Sequence, residues 1–526
     1  EKSAIFKDSQ LNKVFMRDSK LIRLVKTFSK AEWKDFEKFA DSPYFNKGRN
    51  YIPYIKALKK FYPEFDSEKL TKEYIYSILY TGKKCNDAVM FTVTSGLYSL
   101  AEEFLIQKEV ETNQFNRDLQ LLKQLSSRNI DGIHNRFFDA IEKKLQTQKA
   151  GKDIFELFAE LQTHKVQHSM KGNYEKSLAE NVPARGDYQI FNFIVVLLNE
   201  VRDQAVLKGN YNITVRNDLP KRIYTKLDFE DLIEYTDKHY PKFSPVMETI
   251  VKCYAASLST DNIYYEAKEL MMNHYSLFEK NLLRELVLIM EGGCAMRLNT
   301  GDRQYVREWH ELHRFSVERG LHIYETQKYV HPLIAHNMLN MAFWNKEYKW
   351  IEFFIDEHQK EFPDEFRNYL VSIGNVYLFV SRKEFNQALK LLTSVDDSLF
   401  SFKKRVRTLQ LLIYYELHEH ELALSGIDSF KHFIENNKDK YNQRERAVLL
   451  IFLSIYEQLL KHRFGGNEAN LKQLKQRILN ENPSQSLDWL LEKIAELEIK
   501  KKGGVFSPAV YEYLTQALIL QAAFFW

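Results

Sequence analysis

Cysteine is nearly missing from this sequence: Cys85, Cys253 and Cys294 are the only three in 526 residues, far apart and outside any CxxC spacing. That argues against a disulfide framework and a cysteine zinc site, and a reducing compartment fits best. Proline and glycine are also sparse, at 11 and 18 residues, which points to long helices with short joints rather than many β-turns. Neither charge dominates. The 75 basic and 71 acidic side chains leave a formal net charge of +4, too small over this length for a global pull toward nucleic acid. No apolar stretch reaches the roughly 20 residues that span a bilayer. Glu1 to Leu24 is studded with charge and lacks the apolar core of a signal peptide, and the missing initial Met leaves room for residues before Glu1. Cytoplasmic location is the expectation.

What is present is the balance of a folded chain, 44% hydrophobic and 28% charged. Aromatics reach 14%, with 37 Phe and 30 Tyr, and paired rings can hold helix hairpins together. So long a chain exceeds one hydrophobic core unless the core is extended by repetition, each hairpin burying its apolar stripe against its neighbours. Such a pattern exists. Asn345-Lys346-Glu347-Tyr348, Arg382-Lys383-Glu384-Phe385 and Glu419-His420-Glu421-Leu422 place their last member at intervals of 37 and 37 residues. Lys171-Gly172-Asn173-Tyr174 and Lys208-Gly209-Asn210-Tyr211 echo one another and read as tight turns between helices. An aromatic-proline terminator recurs at Tyr62-Pro63-Glu64-Phe65, Tyr240-Pro241-Lys242-Phe243 and Phe362-Pro363-Asp364-Glu365-Phe366.

The expected fold is all-α: an irregular α-solenoid of antiparallel helix hairpins with an N-terminal helical bundle. Residues 1–125 read as that bundle. Within it Ser29 and Glu32 have capping-box spacing, and Trp33, Phe36, Phe39 and Ala40 form one apolar face. Asp41-Ser42-Pro43 stops that helix, Thr71 caps the amide of Tyr74, and Asn86 to Glu109 makes a further helix. Residues 126–220 read as a helical hairpin and linking region, with an extended connection over Asn212 to Lys221. Residues 221–500 read as the repeat array, and 501–526 as an apolar C-terminal helix, introduced by Ser507-Pro508 and ending in Phe524-Phe525-Trp526. That tail is expected to cap the array, dock to another chain or touch a membrane.

Gly374-Asn375-Val376-Tyr377, followed by Phe385, Ala388 and Leu389, resembles the tetratricopeptide hairpin, best over residues 340–430. There, a small residue lets two helices approach while an aromatic fills the hole beside it. The sequence departs from the pattern with Ile351 before and Ser425 after, in the place of Ala388, and its periods of 37 to 43 exceed that family's 34. The resemblance implies a surface that binds peptides or partner proteins, and it supplies no active-site residue.

Chemistry is harder to find. His164 and His168 share a helix face without a convincing third ligand. His310 and His313 fall one residue short of His-Glu-x-x-His. His331 with His336, and His418 with His420, diverge on their helices. Gly292-Gly293 follows an apparent helix without a phosphate-binding lysine and fits a helix end, close packing or a kink. No catalytic residue, metal site or cofactor is assigned. Lys403-Lys404-Arg405-Val406-Arg407, Lys461-His462-Arg463 and Lys472, Lys475 and Arg477 are basic, with Phe400 and Phe402 near enough to suggest stacking on bases.

The sequence therefore favours a non-enzymatic scaffold or adaptor with a protein or peptide partner. Tyr377, Tyr414 and Tyr415 are the candidate anchors, and Arg405 and Arg407 further candidate contacts. A nucleic-acid-binding regulator is the alternative, disfavoured by the charge balance. No membrane span is expected.

Overall fold

Scarce glycine and proline lead to helix, and the computed structural model is all-α: 24 α-helices and four 3-10 turns, with no strand beyond isolated bridges among the described residues. The structure describes residues 16–501 except 172–174, 212, 214, 217, 301, 325–328, 396–399, 442, 465–467 and 482–486. It divides into two units, residues 1–144 and 145–526.

The first unit holds α1 (Lys20–Val25), α2 (Lys30–Asp41), α3 (Ile52–Lys59), α4 (Lys72–Leu79), α5 (Asp87–Thr112) and α6 (Gln114–Ser127), and α7 (Asp131–Thr147) carries the chain past the division. Local signals start these helices. The Ser29 hydroxyl accepts from the Glu32 amide at 3.2 Å while the Glu32 carboxylate accepts from the Ser29 amide at 2.7 Å. Thr71 accepts from the Tyr74 amide, and Asn86 from that of Val89. The apolar face of α2 packs into an aromatic core in which Trp33 stacks on Phe65 and Phe28 meets Phe36 edge-on. By length and composition α5 is apolar enough to cross a membrane, a reading that the count of apolar runs missed. One face of it, including Val93, Leu97 and Phe104, fills this core, whereas Phe91 and Ile106 are exposed.

The second unit opens with the long hairpin α8 (Ile154–Lys171) and α9 (Glu175–Tyr211). Here one expectation fails: Lys208-Gly209-Asn210-Tyr211 is the last turn of α9, not a joint. Glycine and asparagine inside a helix cost only about 1 kcal/mol or less, and α9 is held along its length by α8, α10 and α12. Gly172, Asn173 and Tyr174 of the paired motif lie outside the described residues. After a non-helical stretch, α10 (Leu219–Tyr224) begins with Pro220 in its first turn, so the expected extended connection ends at Asp218.

There follow α11 (Phe229–His239), α12 (Ser244–Leu258), α13 (Ile263–His274), α14 (Lys280–Thr300), α15 (Gln304–Glu318), α16 (Pro332–Trp344) and α17 (Tyr348–His358). The last seven are α18 (Asp364–Ser381), α19 (Phe385–Thr393), α20 (Phe400–Glu416), α21 (His420–Asn436), α22 (Gln443–Arg463), α23 (Glu468–Glu481) and α24 (Leu487–Lys501). From α11 to α24 each helix packs against its successor, and α12 with α14, α16 with α18 and α22 with α24 also touch. One continuous apolar cluster runs from Val317 to Leu497. Residues 502–526, with the expected apolar tail, lie outside the described residues.

The joints α16–α17, α18–α19 and α20–α21 repeat in atomic detail. Each turns on a residue in the left-handed region, Lys346, Lys383 or His418, with φ of 60°, 62° and 63°. In each, the following Glu amide bonds five residues back, Glu347 to Ala342, Glu384 to Phe379 and Glu419 to Tyr414, the 6→1 closure of a helix C-terminus. These turns place the third repeat two residues earlier than the aromatic spacing suggests, giving intervals of 37 and 35. In this register Ala423, fully buried, occupies the place of Ala388 rather than Ser425. Gly374 lets α18 approach α17 so closely that a Cβ there would lie 2.3 Å from Ile355 Cδ1.

Candidate functional site

The link between α15 and α16 departs from this regular joint. Gly320, at φ 62°, ends α15, and the Leu321 amide returns to the Ser316 carbonyl at 2.8 Å. The chain then runs through His322 and Ile323, which bridges to Val330, before His331 caps α16. Val330 donates in turn to the Glu361 carbonyl at 2.9 Å, so this connection is tied to the turn that follows α17.

Two arginines pin these segments. From α14, Arg284 donates Nε to the Leu321 carbonyl at 2.5 Å and Nη2 to that of Ile323, clasping the backbone on both sides of His322. From α18, Arg367 donates to the carbonyls of Gln359 and Phe362, at 3.0 and 2.9 Å, on both sides of Glu361. Three side chains converge as a result. His322 Nε2 lies 3.0 Å and His358 Nδ1 2.7 Å from the same Glu361 oxygen, Oε2, and the two rings meet edge to face at 4.9 Å. His358 ends α17, and Glu361 is one helical turn further on. Burial is the largest influence on His322 and holds its pKa below the usual imidazole value, against the opposing pull of Glu361.

His358 and Glu361 also line a cleft of about 600 Å³ with Arg314, Val317, Glu318, Trp350, Phe353 and Glu357. Its wall is mixed: Phe353 is exposed and Trp350 stacks on Phe354, while charges of both signs surround them. Behind Trp350 lies His310, 3% exposed, its ring edge-on at 4.9 Å. Burial pushes its pKa down to about 3. The cleft can accept an apolar side chain, and the His-Glu-His group can share a proton or hold a cation. Among the described residues, those lining the cleft include no hydroxyl or thiol.

None of the residues singled out as contacts lies here. Tyr377 is 1% exposed, stacks on Phe343 at 4.4 Å and donates to Asn340 Oδ1 at 3.2 Å. Tyr415, equally buried, packs edge-on against Trp489 and lies beneath the Arg463 guanidinium. Both fill the space between hairpins and are not free to anchor a partner; Tyr414 is half-buried against the same core. Arg405 reaches inward to Asn337 Oδ1 at 2.9 Å, and Arg407 bonds Ser429 across the Phe433 ring. Lys404 pairs with Glu445, Lys461 with Glu457 and Arg477 with Glu481. Phe402 is 1% exposed and packs in a cluster with Tyr369 and His336, which removes it as a base-stacking platform, and the Phe400 side chain lies outside what is described. The basic clusters are thus largely engaged within the chain.

His164 and His168 are buried along α8, and His313 approaches Glu291 at 3.6 Å. Gly292 and Gly293 lie inside α14; Gly292 faces open space, and close packing holds for Gly293, where a Cβ would lie 2.9 Å from the Ala256 carbonyl oxygen. Sequence reasoning missed His322, His358 and Glu361. The only local signal is the spacing His358-x-x-Glu361, while His322 comes from 36 residues upstream. Comparison of the chain with protein-family models, with curated proteins and with solved structures gives no match.

Proposed function

We propose that the chain is a non-enzymatic helical-repeat scaffold, tetratricopeptide-like in character, whose second unit is an irregular α-solenoid that binds a protein or peptide partner. The observation that carries this reading is the recurrence of one joint geometry at Lys346, Lys383 and His418, with each helix packed on its successor. Hairpins of this kind satisfy their apolar faces against one another, which frees the outer surfaces for contacts. The contact surface we assign is the cleft between α15 and α17, with exposed Phe353 as its apolar anchor and Arg314, Glu318 and Glu357 as its charged rim. A mixed wall of this kind suits an aromatic or aliphatic side chain flanked by charge. The internal pairing of the basic clusters weighs against nucleic acid as the ligand.

Phe353→Glu tests the assignment, because the side chain is 46% exposed and its loss leaves the core intact. In affinity isolation from native cells with the full chain, the wild type should recover a reproducible protein partner that Phe353→Glu loses at unchanged helicity and melting temperature. An unaffected partner would remove the cleft from the assignment. Recovery of nucleic acid alone would overturn the scaffold reading.

A further inference from the structure

We infer that His322, His358 and Glu361 form a binding site for one divalent transition-metal ion of the zinc class, at the inner edge of the cleft. Their donor atoms, one from each side chain, all lie within 4.8 Å of one another. A tetrahedral ion with bonds of about 2.0–2.1 Å holds its ligands about 3.3 Å apart. The contacts of His322 and His358 to Glu361, 3.0 and 2.7 Å, need open by about 0.3 and 0.6 Å to admit it. Two imidazoles and one carboxylate match the ligand preference of zinc and its neighbours, whereas magnesium and calcium require several oxygens.

The supporting shell argues for a held geometry rather than a chance encounter of side chains. Arg284 grips the carbonyls flanking His322, Arg367 grips those flanking Glu361, and the Val330 amide ties the two segments together. Fixing the backbone on both sides of His322 and of Glu361, with His358 held at the end of α17, lowers the cost of organising a metal site. His358 and Glu361 face the cleft, so three protein ligands leave a coordination position open toward it, for water or for a donor atom on a bound molecule. The site stands on these residues alone, independent of whether a partner protein occupies the cleft.

The test uses the untagged full chain, stripped with a chelator and titrated with Co²⁺ and then Zn²⁺. One equivalent of Co²⁺ should give visible ligand-field absorption that Zn²⁺ displaces, and Zn²⁺ should raise the melting temperature. His358→Ala and Glu361→Gln, both at partly exposed positions, should keep the helical spectrum but weaken Zn²⁺ binding by more than about 100-fold, beyond the loss typical of a supporting residue. Arg284→Lys, a positioning change, should weaken it about 10-fold, and His432→Ala, at an exposed position on α21 away from the three ligands, should leave it unchanged. No stoichiometric binding by the wild type would overturn the proposal. So would binding that survives in folded His358→Ala and Glu361→Gln.

Discussion

Two connections in the second unit solve the same problem in opposite ways. The joints at Lys346, Lys383 and His418 are short, closed by identical backbone hydrogen bonds, and they place aromatic and aliphatic side chains into one apolar cluster. The connection from α15 to α16 is longer, turns at Gly320, and places His322 beside His358 and Glu361, with buried polar groups on neighbouring helices. That contrast shows where chemistry can reside among serially packed helices. A joint that repeats hides its backbone polar groups in its own turn, so its neighbours need supply only apolar contact. One that departs from the repeat leaves carbonyls that arginines from other helices must satisfy, and this polar scaffolding can organise a site.

Acid should separate the two regions most strongly. His310 is buried against Trp350, neither ring nitrogen has a hydrogen-bond partner among the described residues, and burial pushes its pKa down to about 3. The unfolded chain binds a proton near pH 6.5 that the folded chain refuses, so stability is whole above that value and falls as pH drops. At pH 4 the loss amounts to about 3 kcal/mol from this residue. His336, in the stack, is shifted in the same direction by burial. Denaturant midpoints should fall between pH 6.5 and 4, and His310→Phe should remove much of the slope. Hydrogen exchange at pH 4 should rise first over residues 304–344. A slope unchanged in His310→Phe would show that the ring gains a proton without breaking its packing.

The regular stack is tested at Gly374. A Cβ there would meet Ile355 Cδ1 at 2.3 Å, the atom that Ile355→Val removes. Gly374→Ala should destabilise by about 2 kcal/mol through overpacking, and Ile355→Val by about 1 kcal/mol. Combined, they should cost less than their sum by about 1 kcal/mol, measured by chemical denaturation. Strict additivity would mean that Ile355 turns aside freely, and the stack would then be looser than its burial indicates.

How much of this was legible beforehand follows from whether a signal is local. Ser29 with Glu32, Thr71 with Tyr74, and Asn86 sit within one helical turn of the amides they cap, and they were readable directly. The recurrence of the joint is readable as well, but its third register slips by two residues because His418-Glu419 and His420-Glu421 both match the Lys-Glu pair of the earlier joints and only the second is followed by an apolar residue. Tyr377 and Tyr415 read as anchors in the sequence because an aromatic that fills a core and one that grips a partner look alike there; burial distinguishes them. The His-Glu-His group had no comparable signal. It depends on packing α17 against the α15–α16 connection, which brings together residues 36 positions apart.

The smallest expected effect is also the most direct comparison of the connections, since both turn through the left-handed region with different residues. Lys383 adopts φ 62° in a regular joint with an exposed side chain, where an L-residue pays the strain that glycine avoids. Lys383→Gly should therefore stabilise the chain by about 0.5–1 kcal/mol. Gly320 adopts the same φ, and a Cβ there finds its nearest atom, Lys280 Nζ, at 3.5 Å, so space is not the obstacle. Gly320→Ala should cost about 1 kcal/mol through backbone conformation alone. If both changes follow these signs, the two connections share the same turn energetics and differ only in what their backbones place next. A larger loss at Gly320, accompanied by greater exchange at Leu321 and His322, would show that the glycine also holds the clasp by Arg284 in register.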